Sequence, residues 1–256
     1  MDANNNLPDS EKPVIVFLHG GGLSSRMWLP VIERLPNCTC LAPDLPEHGQ
    51  NRDKSPFTLD GAARQVAELI RYEAPGGRAH LVGLSLGGAV ALNVARLAPE
   101  VTDHLLVTGT SATLSKFLAQ LSLASLWMLR FYKPDDMVKM SAKQWGIPAE
   151  YMPLFTEDLR HSTSEAFNRT LIEALAGQQL PQTLNGPLLA LVGEKETIPA
   201  KQAARKLAGL YPQASGRMVP GLGHVWAMQN PQLFADTVRA WVCDAPLPAS
   251  LQPLKA

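Results

Sequence analysis

Apolar and polar positions divide the chain into two kinds of territory. Up to residue 110, unbroken apolar runs alternate with stretches whose apolar positions recur every three or four residues. Val14–His19 (VIVFLH) is a continuous apolar run ended by glycines 20–22, which predicts a strand buried on both faces. Arg26–Leu35 fits a short helix stopped by Pro36, and Cys38–Pro43 a second strand before the turn-rich DLPEHGQNRDKSP. Thr58 can cap a helix reaching about Tyr72, with Leu59, Ala63, Val66, Leu69 and Ile70 on one face. Ala79–Leu84 is a third strand, Leu86–Leu97 a helix ended before Pro99, and Leu105–Thr108 a fourth strand. The alternation returns late, with strands at Leu188–Val192 and Arg217–Val219 and helices at Lys201–Leu210 and Pro231–Val242. Such alternation calls for right-handed crossovers and a mostly parallel, doubly wound α/β sheet covered on both faces.

Between Ser111 and about Asn185 the alternation fails. Helical periodicity runs through Leu114–Arg130, Pro134–Trp145, Glu150–Arg160 and Ser164–Ala176 without a convincing strand. Roughly 70 residues are too many for a structureless loop in a compact protein. The expected organisation is a core of residues 1–110 and 186–256, with a helical cap, 111–185, inserted after the fourth strand and lying over the sheet's carboxyl edge. This insertion carries Phe117, Trp127, Met128, Phe131, Trp145, Met152, Phe155 and Phe167. Any one helical aromatic is more often packing than pocket, but together they predict a lid with an apolar inner surface. Trp127, Phe131 and Trp145 are expected to set substrate size, with Trp28 and Trp226 lining the same pocket from the core side.

Composition narrows the partners. Hydrophobic residues are 46% and charged residues 18% of the chain, a globular balance. With 23 basic and 23 acidic residues, no electrostatic footprint for nucleic acid is present. MDANNNLPDSEK lacks the apolar core of a secretory signal, and Phe117–Leu129 is too short to span a bilayer, so no stable membrane insertion is expected. Three cysteines, Cys38, Cys40 and Cys243, are an odd and sparse set that suits a reducing, cytoplasmic compartment. Cys38 and Cys40 would share one strand face as buried thiols. No residues show credible metal-ligand spacing, so neither metal nor cofactor is expected. Nothing in the pattern fixes the oligomeric state.

One stretch raises chemistry. In HLVGLSLGGAV, residues 80–90, an apolar strand stops at Gly83, presents Ser85 and resumes in small residues. Glycine tolerates close approaches that a Cβ forbids, so this is either a bland strand-to-helix turn or a nucleophile elbow of the G-x-S-x-G kind. A serine hydroxyl needs a base, and the base an orienting partner. His224, in PGLGHVW after the sixth strand, is the histidine placed to return to the carboxyl edge in the order serine, acid, histidine. His19 and His48 precede the serine, His80 starts a strand, and His104 and His161 lack a matching loop. The strand before His224 ends LLALVGEKETIP, where the residues alone leave both Glu194 and Glu196 open as the acid.

HGGG at 19–22, DLPEHG at 44–49, GLSLGG at 83–88, GEKETIP at 193–199 and GLGHVW at 221–226 follow one another in an order that resembles the α/β-hydrolase superfamily, specifically its capped esterase-like members. The resemblance covers nearly the whole chain. It implies a catalytic acid three residues beyond the glycine ending the fifth strand, usually aspartate; here that position is Glu196. It also implies an oxyanion hole from the N–H groups of Leu86 and Gly21, with Gly22 as the alternative to Gly21. His19, Asp44 and His48 are then loop-bracing residues. The implied activity is hydrolysis of carboxylic esters with apolar acyl or alkyl groups through a Ser85–His224–Glu196 triad and an acyl-enzyme. Rivals using the same triad are lactonases and carbon–carbon bond hydrolases; the latter commonly have asparagine before the serine, where this chain has Leu84. Dehalogenases and epoxide hydrolases carry an aspartate nucleophile, and hormone-sensitive-lipase-like esterases an elbow reading GDSAGG, so both fit less well. A ligand receptor retaining a slow triad on this fold is the rival from another class.

Overall fold

A computed structural model describes residues 12–54, 56–111 and 114–254; the polar amino-terminal stretch lies outside these. Seven strands share one sheet: β1 Val14–Leu18, β2 Thr39–Leu41, β3 Ala79–Leu84, β4 Thr102–Thr108, β5 Leu188–Gly193, β6 Ala214–Val219 and β7 Gln252–Pro253, in the order β2-β1-β3-β4-β5-β6-β7. The first six are parallel, and β7 closes the edge antiparallel to β6. The mostly parallel, doubly wound sheet expected from the alternation is the one observed. The predicted strands at Cys38–Pro43 and Arg217–Val219 shift, to Thr39–Leu41 and Ala214–Val219, and β7 carries no apolar signal at all.

Strand pleating decides which side chain goes to which layer. Along β1, Val14, Val16 and Leu18 enter one apolar layer, and Ile15 and Phe17 enter the other. The first layer packs against α2 (Leu59–Glu73) and α3 (Leu86–Leu97). Thr58 caps α2 by accepting the Gly61 N–H at 3.0 Å. The second layer holds Trp28, Trp226 and Phe234 from the other side, beside a short α1 (Leu29–Ile32) that a 3₁₀ turn precedes. The expectation that Trp28 and Trp226 line a pocket is therefore corrected. Both are fully buried, and the Trp226 indole donates to Thr108 Oγ1 at 2.8 Å. Burying such a side chain is worth roughly 2–3 kcal/mol, which makes them core residues first.

Cys38 lies just before β2 and Cys40 within it; both are half-buried against the second layer, while Cys243 is exposed. Burial pushes the Cys40 thiol up to about 12, so it is inert at neutral pH.

Between β4 and β5 come α4 (Lys116–Ser125), α5 (Pro134–Trp145), α6 (Met152–His161) and α7 (Glu165–Ala176). The single helix predicted over Leu114–Arg130 instead breaks into α4 and a 3₁₀ segment at Leu126–Phe131. Asp158 of α6 anchors this region to the loop after β1, accepting from Ser24 Oγ at 2.6 Å and Arg26 Nη2 at 2.9 Å. Ser162 and Asn168 tie the α6–α7 turn together. Among the described residues no helix is long and apolar enough to cross a membrane.

The parallel register aligns Leu18, Gly83, Val107 and Ala190 across four neighbouring strands. The loops that follow these strands therefore emerge along one sheet edge. α8 (Ile198–Leu210), the short α9 (Trp226–Gln229) and α10 (Pro231–Val242) complete the core.

Candidate active site

Ser85 occupies the single residue between β3 and α3, with φ 53° and ψ −112°. A non-glycine residue there stores backbone strain of about 1–3 kcal/mol, which its surroundings must impose. Three contacts impose it: the Ser85 N–H donates to the Thr108 carbonyl at 2.9 Å, the Gly88 N–H donates to the Ser85 carbonyl at 3.1 Å, and Thr110 Oγ1 donates to it at 3.2 Å. The bracketing glycines serve close approach, not unusual dihedrals. A Cβ on Gly83 would sit 2.5 Å from the Gly87 carbonyl, and one on Gly87 would overlap the Leu18 carbonyl oxygen. The strain falls on the serine itself.

His224 arrives in the loop after β6. Its Nδ1 lies 2.8 Å from Glu196 Oε2, with the histidine side chain 25% exposed and the glutamate 4%. The other carboxylate oxygen of Glu196 accepts the Gly193 N–H at 3.1 Å, so the longer side chain folds back onto its own strand end. Glu194 goes elsewhere: it is exposed and accepts the Gly221 N–H at 2.7 Å, bracing the histidine loop from outside. With Nδ1 engaged, Nε2 is the imidazole nitrogen left for Ser85.

The loop after β1 is ordered by the residues expected to do so. His19 is fully buried, with Nδ1 2.9 Å from the Gly20 carbonyl and Nε2 accepting the Leu45 N–H at 3.0 Å. Burial lowers its pKa, and both nitrogens are spoken for. Asp44 accepts from the Ser25 N–H at 2.7 Å and the Gln50 N–H at 2.9 Å. Burial works to raise its carboxyl, but these hydrogen bonds outweigh it and hold the group below the usual carboxylate range. His48 donates from Nδ1 to the Pro46 carbonyl at 2.8 Å, and burial drives it down to about 3.

Two cavities meet at Ser85, His224 and Trp145. One, about 190 Å³, is lined by Gly20, Gly21, Leu23, Leu84, Leu86, Leu171 and Leu175 besides those three. It thus contains both expected oxyanion-hole residues, and Leu86, as the first residue of α3, has no intrahelical carbonyl for its N–H. Gly22, the alternative, lines instead a small gap beside His48, Asp158 and Phe167. The other cavity, about 590 Å³, opens past Glu196, Lys195, Lys143 and the histidine loop. Of the aromatic residues expected on the lid's inner surface, Trp145 alone borders these two cavities. Phe155 and Phe167 are buried, and Phe117, Trp127, Met128 and Phe131 face solvent. That expectation is corrected: helical periodicity shows that these residues share helices, not which face meets the site.

Two positions escaped the sequence reading. Gly109, with φ 59°, follows β4; a Cβ there would stand 2.7 Å from His224 Cε1 and Nδ1 and 3.2 Å from Glu196 Oε2. A glycine directly after an apolar strand was the available signal. Gln229 accepts the Gly223 N–H at 2.9 Å and donates to the Gly146 carbonyl at 2.8 Å, joining the histidine loop to α5's end; nothing in the sequence marks it.

Register also assembles what spacing hides. His80, Asp103 and His104, near the starts of β3 and β4, bring one ligating atom each to within 4.8 Å of the others. Linear spacing gave no such group. His104 sits between carboxylates, Nδ1 2.9 Å from Asp103 and Nε2 3.2 Å from Asp244, and burial lowers His80 to about 4. The cluster lies at the sheet edge opposite Ser85.

The sequence model described as "Alpha/beta hydrolase family" matches residues 15–237. An "AB hydrolase superfamily protein" of Gibberella zeae is 27% identical over 241 residues, covering 91% of this chain and 81% of that protein. The "Pimeloyl-[acyl-carrier protein] methyl ester esterase" of Xanthomonas axonopodis pv. citri is 26% identical over 257 residues, covering 91% and 96%. Among solved structures, MenH from S. aureus superposes with a TM-score of 0.76 at 22% identity over 93% of this chain and 96% of that one, a likeness of fold.

Proposed function

We propose, for a chain that belongs to the alpha/beta hydrolase family, that it hydrolyses carboxylic esters through Ser85, His224 and Glu196. The observation that carries this reading is the buried Glu196 carboxylate 2.8 Å from His224 Nδ1, beside a serine held at φ 53° on a shared cavity. The name of the Xanthomonas relative, a methyl ester esterase, supports the bond type.

Ser85 Oγ attacks the ester carbonyl as His224 Nε2 takes its proton. Glu196 keeps the Nδ1 proton in place and stabilises the imidazolium. The oxyanion is met by the N–H groups of Gly21 and Leu86. The tetrahedral species collapses, His224 returns its proton to the leaving alcohol, and the acyl group stays on Ser85. Water, deprotonated by the same imidazole, then releases the acid. Residues 111–185 act as the cap in this reading, with Trp145, Leu171 and Leu175 closing the small cavity over the acyl group.

A fluorophosphonate adds to Ser85 on intact protein, located by mass spectrometry. Ser85→Ala abolishes labelling and costs about 10⁴-fold or more in turnover of short-chain esters. Full activity in Ser85→Ala, with label on another residue, would sink the proposal.

A further inference from the structure

The two cavities at Ser85 differ in character, and the mechanism assigns a different part of the substrate to each. The small one holds the expected oxyanion donors and is walled by Leu23, Leu84, Leu171 and Leu175, so the acyl group belongs there. The leaving group must take its proton from His224 Nε2 and depart. Its exit is the wide cavity, which runs along Glu196, Thr197 and the histidine loop.

That wide cavity is not neutral. Lys143 of α5 and Lys195 of the β5–α8 loop line it, one from the insertion and one from the core. Both are exposed, and neither forms an ion pair among the described residues. Among the described residues Glu196 is the only carboxylate on the wall, and it is already held by His224 and the Gly193 N–H. Glu194, next to Lys195 in sequence, turns away to Gly221 and is absent from the lining. The first turn of α8 (Thr197, Pro199 and Ala200) also faces the space, and its macrodipole adds positive potential. Gln229, the neutral alternative partner, is committed to Gly223 and Gly146. Two unpaired ammonium groups and a helix amino end thus converge on the path of the leaving group.

We propose that the substrate carries a negative charge, carboxylate or phosphate, on its alcohol side, recognised by Lys143 and Lys195, with an apolar acyl group in the small cavity. This rests on the esterase reading above. A single solvent-reachable ion pair gives a few-fold effect, so two together give an anionic preference of roughly 10-fold at low salt. Screening by salt shortens its reach to about 10 Å at 0.1 M and weakens it further above that.

The test is kcat/KM for butyrate esters of one phenol series at low ionic strength. The para substituents are carboxylate, phosphate, neutral carboxamide and trimethylammonium; a second arm moves the carboxylate to the acyl chain. The alcohol-side anions are expected to exceed the carboxamide by about 10-fold and the trimethylammonium ester by more, with the gap closing in 0.5 M salt. The carboxylate and phosphate arms show which anion is taken. The Lys143→Met/Lys195→Met variant should bring the anion-to-neutral ratio near one, and Lys195→Glu should reverse it. An anion-to-neutral ratio unchanged in the double variant, or an equal preference for the acyl-side anion, overturns the proposal. Failure of the esterase reading looks different: no ester is turned over and Ser85 takes no fluorophosphonate.

Discussion

The loops at the sheet's carboxyl edge and the helices inserted between β4 and β5 treat their functional side chains in opposite ways. At the edge, strand ends fix the site through short bonds: the Thr108 carbonyl holds the Ser85 N–H, and the Gly193 N–H holds Glu196, which in turn holds His224. In the insertion, Phe117 is 73% exposed and Phe131 71%, while burial falls to small or central residues such as Ala119, Ala142 and Phe155. Of the insertion's described side chains, Trp145, Leu171 and Leu175 reach the smaller cavity at Ser85. Geometry that chemistry depends on is built where the scaffold is stiff, and the insertion meets the site with side chains that can change without disturbing it.

The largest expected effect is at the edge. Glu196→Gln should fold normally and lose about 10³-fold or more in kcat, because an amide can favour the wrong imidazole tautomer. Glu194→Gln should stay within a few-fold of the parent, since its carboxylate bonds to the Gly221 N–H and not to the imidazole. Glu196→Asp should fall between, its carboxylate withdrawn by one carbon–carbon bond of about 1.5 Å. Steady-state kinetics on the three variants decide the acid: if Glu194→Gln is the inactive one, the assignment moves there.

Gly109 comes next. Gly109→Ala combines an unfavourable φ of 59° with a Cβ driven against His224, and a displaced imidazole should cost about 10²-fold in kcat. Gly77→Ala separates the two causes, because Gly77 has φ 66° with open space around its missing Cβ. It should lower the melting temperature slightly and leave kcat unchanged. Equal kinetic loss in both variants would show that general destabilisation, not contact with His224, is responsible.

The same contrast explains what could be read from sequence. β3 and α3 appear at the limits predicted, Ala79–Leu84 and Leu86–Leu97, because a strand buried on both faces is an unbroken apolar run and Ser85 breaks it. β6 and β7 sit near the sheet's edge with mixed burial or exposure, so their apolar patterns were short or missing. Motif spacing placed Glu196 and His224 on loops of the same edge, yet it could not choose between Glu194 and Glu196 without family resemblance. The choice depends on which carboxylate turns inward. Trp28, Trp226 and the His80–Asp103–His104 group were misread or missed for one reason: which face a side chain takes, and what lies across the sheet from it, are properties of register and not of linear order.

Edge and insertion touch at His48, whose ring lies 5.0 Å from Phe167 of α7 and 5.0 Å from His19. Burial, then the neighbouring His19, hold it at about 3 against an ordinary value of 6.5. The unfolded chain therefore takes the proton first. The stability this neutral histidine permits is complete above about 6.5 and is lost progressively as pH falls toward about 3. At pH 5 the cost is about 2 kcal/mol, and among the described residues His48 Nε2 has no acceptor to receive the added proton. Melting temperature should drop by about 4–8 °C between pH 7.5 and 5 from this group, since 1 kcal/mol is worth roughly 2–4 °C at this size. His48→Gln, which cannot ionise, should show a smaller drop; an identical drop would place the acid sensitivity elsewhere.

The smallest effects belong to the insertion's aromatics, and they test whether the outer face matters to substrates at all. Trp145 borders both cavities, and its neighbours in the small one are Leu171 and Leu175. Removing the indole should enlarge the acyl cavity, because the flanking leucines belong to another helix and only partly close the gap. Trp145→Ala is therefore expected to raise the kcat/KM ratio of octanoyl over acetyl ester by about tenfold, the scale at which one to two methylenes are discriminated in an apolar pocket. Trp145→Phe should raise it less. Trp127 and Phe131 stack edge to face with centroids 5.7 Å apart, and the Arg130 guanidinium lies over both rings. That arrangement stabilises a solvent-facing surface and gives neither ring a path to Ser85. Trp127→Ala and Phe131→Ala should leave the acyl ratio within twofold of the parent while lowering melting temperature slightly. A shift in either as large as that of Trp145→Ala would mean that long acyl chains run across the exposed face, and the small cavity would lose its role as the acyl site.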